Sequence, residues 1–378
     1  MRIMLIATNR HNRWMTRQEV RPLPIGLAYV AAYIDQSKHD LKVLDLMFSE
    51  DYLQQTEDIV NQFKPELIGI SIRNLDNGSY ISPQSALPVT RDVINKIRSC
   101  TDAIITCGGP AFSILPEECF QYLNPDIGLA GDAADTFALL ADLLDAKGIL
   151  QHQSIGNEIL KELKPLSGVV YQQGGIIQVA EHRASSALTK APRLDELDLS
   201  QYRQAGFGVG VITKLGWYTS TVEEPSRDHG KVHSEQELRI SNSVENVVNE
   251  VKRLKNQHSL SEFFFIDQAF NQPPDFAKAL CTALITENLN IKWNTNITTH
   301  GSDGELISLM SRAGCQMVLI GGPAISNGNR QEQSLSVESS LEQMITLCDL
   351  CQNHGLPYSI TQVFGELGET DETISIKL

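Results

Sequence analysis

From residue 1 to about 147 short apolar runs alternate with segments whose apolar residues recur at helical spacing, and this alternation predicts βαβ units around a parallel sheet. Five strands are expected, at Arg2–Thr8, Leu41–Met47, Leu67–Arg73, Ala103–Gly108 and Ile127–Gly131, with helices between them such as Gly26–Asp35 and Asp51–Phe63. Periodicity fades between 148 and 205. There Gly174-Gly175 reads as a hairpin turn between Gly168–Gln172 and Ile176–Ala180, and Leu194–Tyr202 reads as polar and irregular, so the stretch is expected to be a linker. A second βα series follows over 206–378. Its strands are expected at Gly206–Lys214, Glu262–Ile266, Ile291–Thr295, Gln316–Ile320 and Tyr358–Phe364, and its helices at Val244–Lys255, Phe276–Glu287, Gly304–Arg312 and Val337–Asn353. The fold class is α/β: a doubly wound, Rossmann-like domain over 1–147, then a full or partial (β/α) barrel over 206–378.

Composition narrows what such a chain does. No run of about 18 apolar residues occurs, so no transmembrane helix is expected, and Met1–Ile6 followed by Thr8-Asn9-Arg10 fits a first strand better than a signal peptide. Seven cysteines without a secretory signal point to a reducing cytoplasm with free thiols. A net charge of −15 without a dense Lys/Arg stripe argues against nucleic acid and for a small-molecule partner.

Ligands of parallel α/β sheets sit at the carboxyl ends of the strands. In the first domain those ends carry Asn9 and Arg10, then Ser71, Arg73, Asn74, Asp76 and Asn77, then Gly108, Gly109 and Pro110, then Gly131 and Asp132. The plain alternative for Gly108-Gly109 is a turn. The ordered set of Ser71–Asn77, Gly108-Gly109-Pro110 with Leu115-Pro116-Glu117-Glu118, and Ala130-Gly131-Asp132 resembles the cobalamin-binding domain of the B12-dependent radical S-adenosylmethionine family. The resemblance continues in the second domain at Phe263–Asn271, Trp293, Arg312-Ala313-Gly314-Cys315 and Phe364–Thr370, so it spans nearly the whole chain.

That resemblance implies cobalamin as cofactor, with S-adenosylmethionine left open. It implies that Ser71 hydrogen-bonds the nucleotide tail and that the glycines admit a bulky ligand. Two landmarks depart from the family. Gly131-Asp132-Ala133-Ala134 stands where Gly-Glu-Gly-Glu is usual, and the loop Thr8–Arg13 lacks the Asp and Gly of Asp-x-His-x-x-Gly, so His11 is expected to be a loop residue and cobalamin to bind base-off.

A third departure is chemical. Aligned on Thr213-Lys214 and Gly216, the family's Cys-x-x-x-Cys-x-x-Cys positions are Trp217, Thr221 and Glu224, which cannot supply three thiolates, so no [4Fe-4S] cluster and no usual radical initiation is expected. Cys348-Asp349-Leu350-Cys351 has a suggestive spacing but lies in an apolar helix, where a buried face is the expected role. Glu223 and Glu224, with Asp228, His229 and His233, form either an acid–base loop or a solvated one, and no metal site is expected. Asp267, beside Asn271, is a strand-end candidate for proton transfer, with helix capping as the alternative. Trp217 and Tyr218 are candidates to pack on corrin or substrate.

Three functions stay open: polar methyl or alkyl transfer, or cobalamin-assisted cyclisation, in a natural-product pathway; a non-catalytic carrier, sensor or partner subunit; and a scaffold without either cofactor. The family continues past Ile376-Lys377-Leu378, so an incomplete barrel closed by self-association or a partner chain is expected.

Overall fold

The computed structural model describes residues 1–9, 21–77, 83–152, 156–181, 190–203, 208–214, 242–321, 337–362, 370–371 and 374–375. The chain divides into two units, Met1–Ala205 and Gly206–Leu378.

The first unit runs β1 (Arg2–Ala7), α1 (Ile25–Tyr33), β2 (Asp40–Asp45), α2 (Tyr52–Phe63), β3 (Leu67–Ser71), α3 (Leu87–Cys100) and β4 (Ile104–Gly108). It goes on through α4 (Pro110–Ile114), α5 (Pro116–Leu123), β5 (Ile127–Leu129), α6 (Ala134–Ala146), α7 (Asn157–Leu163), β6 (Val169–Gln173), β7 (Ile176–Val179) and α8 (Leu199–Arg203). Its sheet has the order β2-β1-β3-β4-β5-β6-β7, with the first five strands parallel. The chain leaves β1 to one side for β2 and returns to the other for β3, which places the topological switch point between β1 and β3. Strands β1, β3 and β4 are apolar at nearly every position because helices cover both faces. One core gathers Ile6, Ile70, Val93 and Phe112; the other gathers Leu5, Ala31, Phe137 and Leu144.

The stretch expected to be a linker is corrected here. Strand β6 pairs antiparallel with β5, and β7 pairs with β6, so the hairpin extends the first sheet, and Val169 and Tyr171 join the second core. Leu194–Tyr202 is not simply irregular either: α8 buries Tyr202, whose hydroxyl donates to Asp45 Oδ2 beside the ring of Phe48. Two short helices, α4 and α5, follow β4, each started by a proline in its first turn.

The second unit comprises β8 (Gly210–Val211), α9 (Val244–His258), β9 (Glu262–Phe265), α10 (Pro274–Glu287), β10 (Lys292–Ile297), α11 (Gly304–Arg312), β11 (Cys315–Gly321), α12 (Val337–Asn353) and β12 (Tyr358–Thr361). All five strands are parallel in the order β12-β11-β10-β9-β8, the sequential order of a partial (β/α) barrel. β8 and β12 are shorter than the sequence pattern suggests, and the Gly-rich corner after β12 lies outside the described residues. Side-chain caps fix two helix starts: Ser243 accepts from Asn246 N at 3.1 Å and Asp303 from Leu306 N at 2.8 Å. Among the described residues no helix is long and apolar enough to cross a membrane.

Candidate functional site

The carboxyl ends of β1, β3, β4 and β5 meet as a ledge built largely of main chain. Ile72 N donates to Gly108 O (2.9 Å) and Ala111 N to Ile72 O (3.1 Å), which lays the turn after β4 directly on β3. Gly109 has φ +99°, and a Cβ there would stand 2.7 Å from Ile72 O and 3.1 Å from Ser71 Oγ, so only glycine permits the approach. Ser113, absent from the sequence-based candidates, ties the ledge together: its hydroxyl donates to Gly109 O (2.9 Å) and accepts from Gly131 N (2.8 Å). Its only local signal is a small hydroxyl four residues after Gly109, in a helix's first turn. Beneath, Thr8 Oγ1 lies 2.9 Å from Thr90 Oγ1 and 3.4 Å from Ser71 O.

The predicted cofactor residues distribute around this ledge. Asn9, Ser71, Gly108, Gly109, Gly131 and Asp132 are half-buried, while Arg73, Asn74 and Pro110 are exposed. The Ser71 hydroxyl and the Arg73 guanidinium have no hydrogen bond or ion pair among the described residues. Asn77 is partly committed elsewhere. Its Oδ1 accepts from Gln84 N (3.1 Å), Asp76 forms a backbone bridge with Ser85, and together they close the neck of the loop after β3. Arg10 and His11 lie outside the described residues.

In the second unit Asp267 is buried and saturated. Its Oδ1 accepts from the backbone N–H of Thr213 (3.1 Å) and Lys214 (3.3 Å), and its Oδ2 from the Thr213 hydroxyl and the Lys214 ammonium (3.2 Å). Lys214 Nζ also donates to Phe270 O (3.1 Å) and sits against the rings of Phe270 and Phe276. Burial lowers the Lys214 pKa, and the Asp267 charge opposes that shift. Asp267 does not cap the next helix, whose N-cap is Pro273 without a side-chain bond. Its visible task is to clamp the chain as it leaves β8.

Asn271, fully buried, pins the turn after β10: its Nδ2 reaches Thr298 O (2.8 Å) and His300 O (2.8 Å), and its Oδ1 accepts from Thr298 N (3.0 Å). Trp293 packs on Phe265 and Phe270 and donates from Nε1 to Ala313 O (2.9 Å), a core role. Trp217, Tyr218, Thr221 and Glu224 lie outside the described residues, as do Glu223, Asp228, His229 and His233. Cys351 is buried and its thiol is pushed up to about 11 by that burial; Cys348, half-buried, is raised for the same reason. Among the described residues no three His, Cys, Asp or Glu side chains are grouped so as to hold a metal ion.

The family model for the B12 binding domain matches residues 19–141. An uncharacterized methyltransferase of Pyrococcus horikoshii is 22% identical over 309 residues, covering 79% of this chain and 60% of its own length. The tryptophan 2-C-methyltransferase of Streptomyces laurentii is 23% identical, covering 93% of this chain and 66% of its own. The chain thus spans about 60% of the length of the curated relatives it matches. The radical S-adenosylmethionine methyltransferase TsrM of Kitasatospora setae, solved with cobalamin and a [4Fe-4S] cluster, superposes with a TM-score of 0.77 at 19% identity, over 99% of this chain and 71% of that one. The cobalamin-dependent radical enzyme OxsB superposes with a TM-score of 0.69, over 99% of this chain and 51% of that one.

Proposed function

We propose that this chain, which carries a B12-binding domain and has the fold of the cobalamin-dependent radical S-adenosylmethionine enzymes, is a cobalamin-dependent transferase that works without an iron–sulfur cluster. The observation that carries the reading is the ledge at the strand ends, where Gly108, Gly109 and Gly131 leave main chain rather than side chains facing the ligand position, with the Ser71 hydroxyl unspent beside it. These residues fit a large, flat cofactor with a threading nucleotide tail. Ser71 would hydrogen-bond the tail, the glycines would admit it, and Arg73 and Asn74 would meet its outer polar edge. Cobalamin, when bound, supplies a cobalt centre able to accept and donate a methyl group by polar displacement.

The donor set does not fit a [4Fe-4S] cluster. The seven cysteines stand at 100, 107, 119, 281, 315, 348 and 351, and no three of them have the Cys-x-x-x-Cys-x-x-Cys spacing. Indole, hydroxyl and one carboxylate at Trp217, Thr221 and Glu224 are not substitutes for thiolates. The reaction is therefore read as methyl or alkyl transfer, or a cobalamin-assisted cyclisation, on a small natural-product precursor. Trp217 and Tyr218 would pack on that precursor and Glu224 would move a proton, while Asp267 acts through Thr213 and Lys214 by fixing the start of their loop. A carrier, sensor or subunit role is the second reading, favoured by the joint loss of all three cysteine positions.

The test is a spectrum of the full chain after incubation with hydroxocobalamin and desalting, with iron assayed on the same sample. Corrin bands persisting near one equivalent without iron support the proposal. Loss of the corrin overturns it, and so does cluster reconstitution that yields stoichiometric iron and cleavage of S-adenosylmethionine.

A further inference from the structure

Among the described residues of the second unit, Asn294 is one of several buried polar side chains with an atom that finds no partner. On β10, Trp293 and Asn294 point to opposite faces, as successive strand residues must. The Trp293 face is the helix-covered one: it carries the aromatic cluster with Phe265 and Phe270, and its register partner Cys315 lies close to Cys281 of α10 and Cys351 of α12. Asn294 therefore faces the other side of the sheet. Its row reads Gly210, Phe264, Asn294, Met317 across β8, β9, β10 and β11, and the row above contains Asn296 and Leu319. A β-bulge separates the Trp293 and Asn294 pairings to β11, a device that re-aims side chains beside sites.

Asn294 is 7% exposed, yet its Oδ1 has no hydrogen-bond partner. Asn296, two residues on, is already engaged, donating from Nδ2 to Asp267 O at 3.3 Å. A buried acceptor without a partner lowers stability, and such a cost is retained where a ligand offsets it. A carboxamide presents a donor and an acceptor side by side and pairs in two places with a matching edge. Phe264 and Met317 flank it in register, a ring and a thioether suited to a flat apolar body.

We infer that Asn294 is a substrate-recognition residue, which reads the adjacent N–H and C=O of a flat, mostly apolar small molecule lying on the Phe264–Met317 face. The inference rests on the reading that the second unit holds the substrate, and it names that substrate's class.

The experiment uses the full chain, with indole-3-carboxamide and methyl indole-3-carboxylate as probes, the second lacking the N–H of the edge. Affinities are taken from saturation-transfer NMR and stability from thermal unfolding. Wild type should bind the amide about tenfold more tightly than the ester, the worth of one hydrogen bond. Asn294→Leu should bind the two alike and should melt ~2–4 °C higher, because the orphaned carboxamide is gone. Equal affinities in wild type, a preference that survives in Asn294→Leu, or a melting temperature unchanged or lowered by that substitution would each overturn it. Corrin retention measured on the same samples separates the two proposals. A retained corrin with no amide preference sinks only this inference, whereas a lost corrin with the preference intact sinks only the cofactor reading.

Discussion

Asp267 shows how one side chain changes meaning once its surroundings are known. A carboxylate at a barrel strand end invites an acid–base role, but four donors from Thr213 and Lys214 already fill its lone pairs. Its side chain and that of Lys214 are 1% and 6% exposed, so the pair is desolvated. Removing one partner of a buried pair leaves the other charge uncompensated, at a cost of roughly 3–5 kcal/mol. Asp267→Ala is expected to lower the urea midpoint strongly, and Asp267→Ala combined with Lys214→Met to recover part of the loss; a double variant no better than the single would refute the coupling. The sequence offered no means of choosing Thr213 and Lys214 as partners, since they lie 54 and 53 residues away.

At the scale of elements, the turn joining β4 to α4 decides whether the ledge exists. The φ of +99° at Gly109, together with a Cβ position 2.7 Å from Ile72 O, makes Gly109→Ala a backbone problem and not a packing one. That substitution should cost on the order of 1–3 kcal/mol and abolish corrin retention. Ser71→Ala, which leaves the turn intact, should weaken retention with little change in melting; equal stability loss in both variants would argue that Ser71 is structural. Strands and helices of the first unit were legible because apolar periodicity reports which face meets the core. The hairpin of β6 and β7 was legible as a hairpin from Gly174-Gly175, but not as part of the sheet, because its pairing with β5 depends on register across some forty residues.

For the molecule as a whole, the half-buried Asp45 at the end of the first unit's β2 gives stability a pH signature. Burial raises its carboxyl pKa, against the opposing hydrogen bonds from Tyr202 and Met47 N. A carboxyl raised in the folded state binds its proton more tightly there than in the unfolded chain, so its contribution is present below the ordinary carboxylate value and is lost as pH rises through the raised one. The unfolding free energy of wild type minus that of Asp45→Asn should therefore fall between pH 4 and pH 7 in urea titrations; a flat or rising difference would contradict it. The sequence by itself determined the two βα series, the strand-end glycines and the lack of any Cys-x-x-x-Cys-x-x-Cys spacing, because periodicity and spacing are properties of neighbours along the chain. Only the tertiary structure decided that Asp267 is a clamp, that Ser113 stitches Gly109 to Gly131 and that the Asn294 Oδ1 is left without a donor. Whether a buried polar group finds a partner depends on strands and turns brought together from far apart, which no local pattern records.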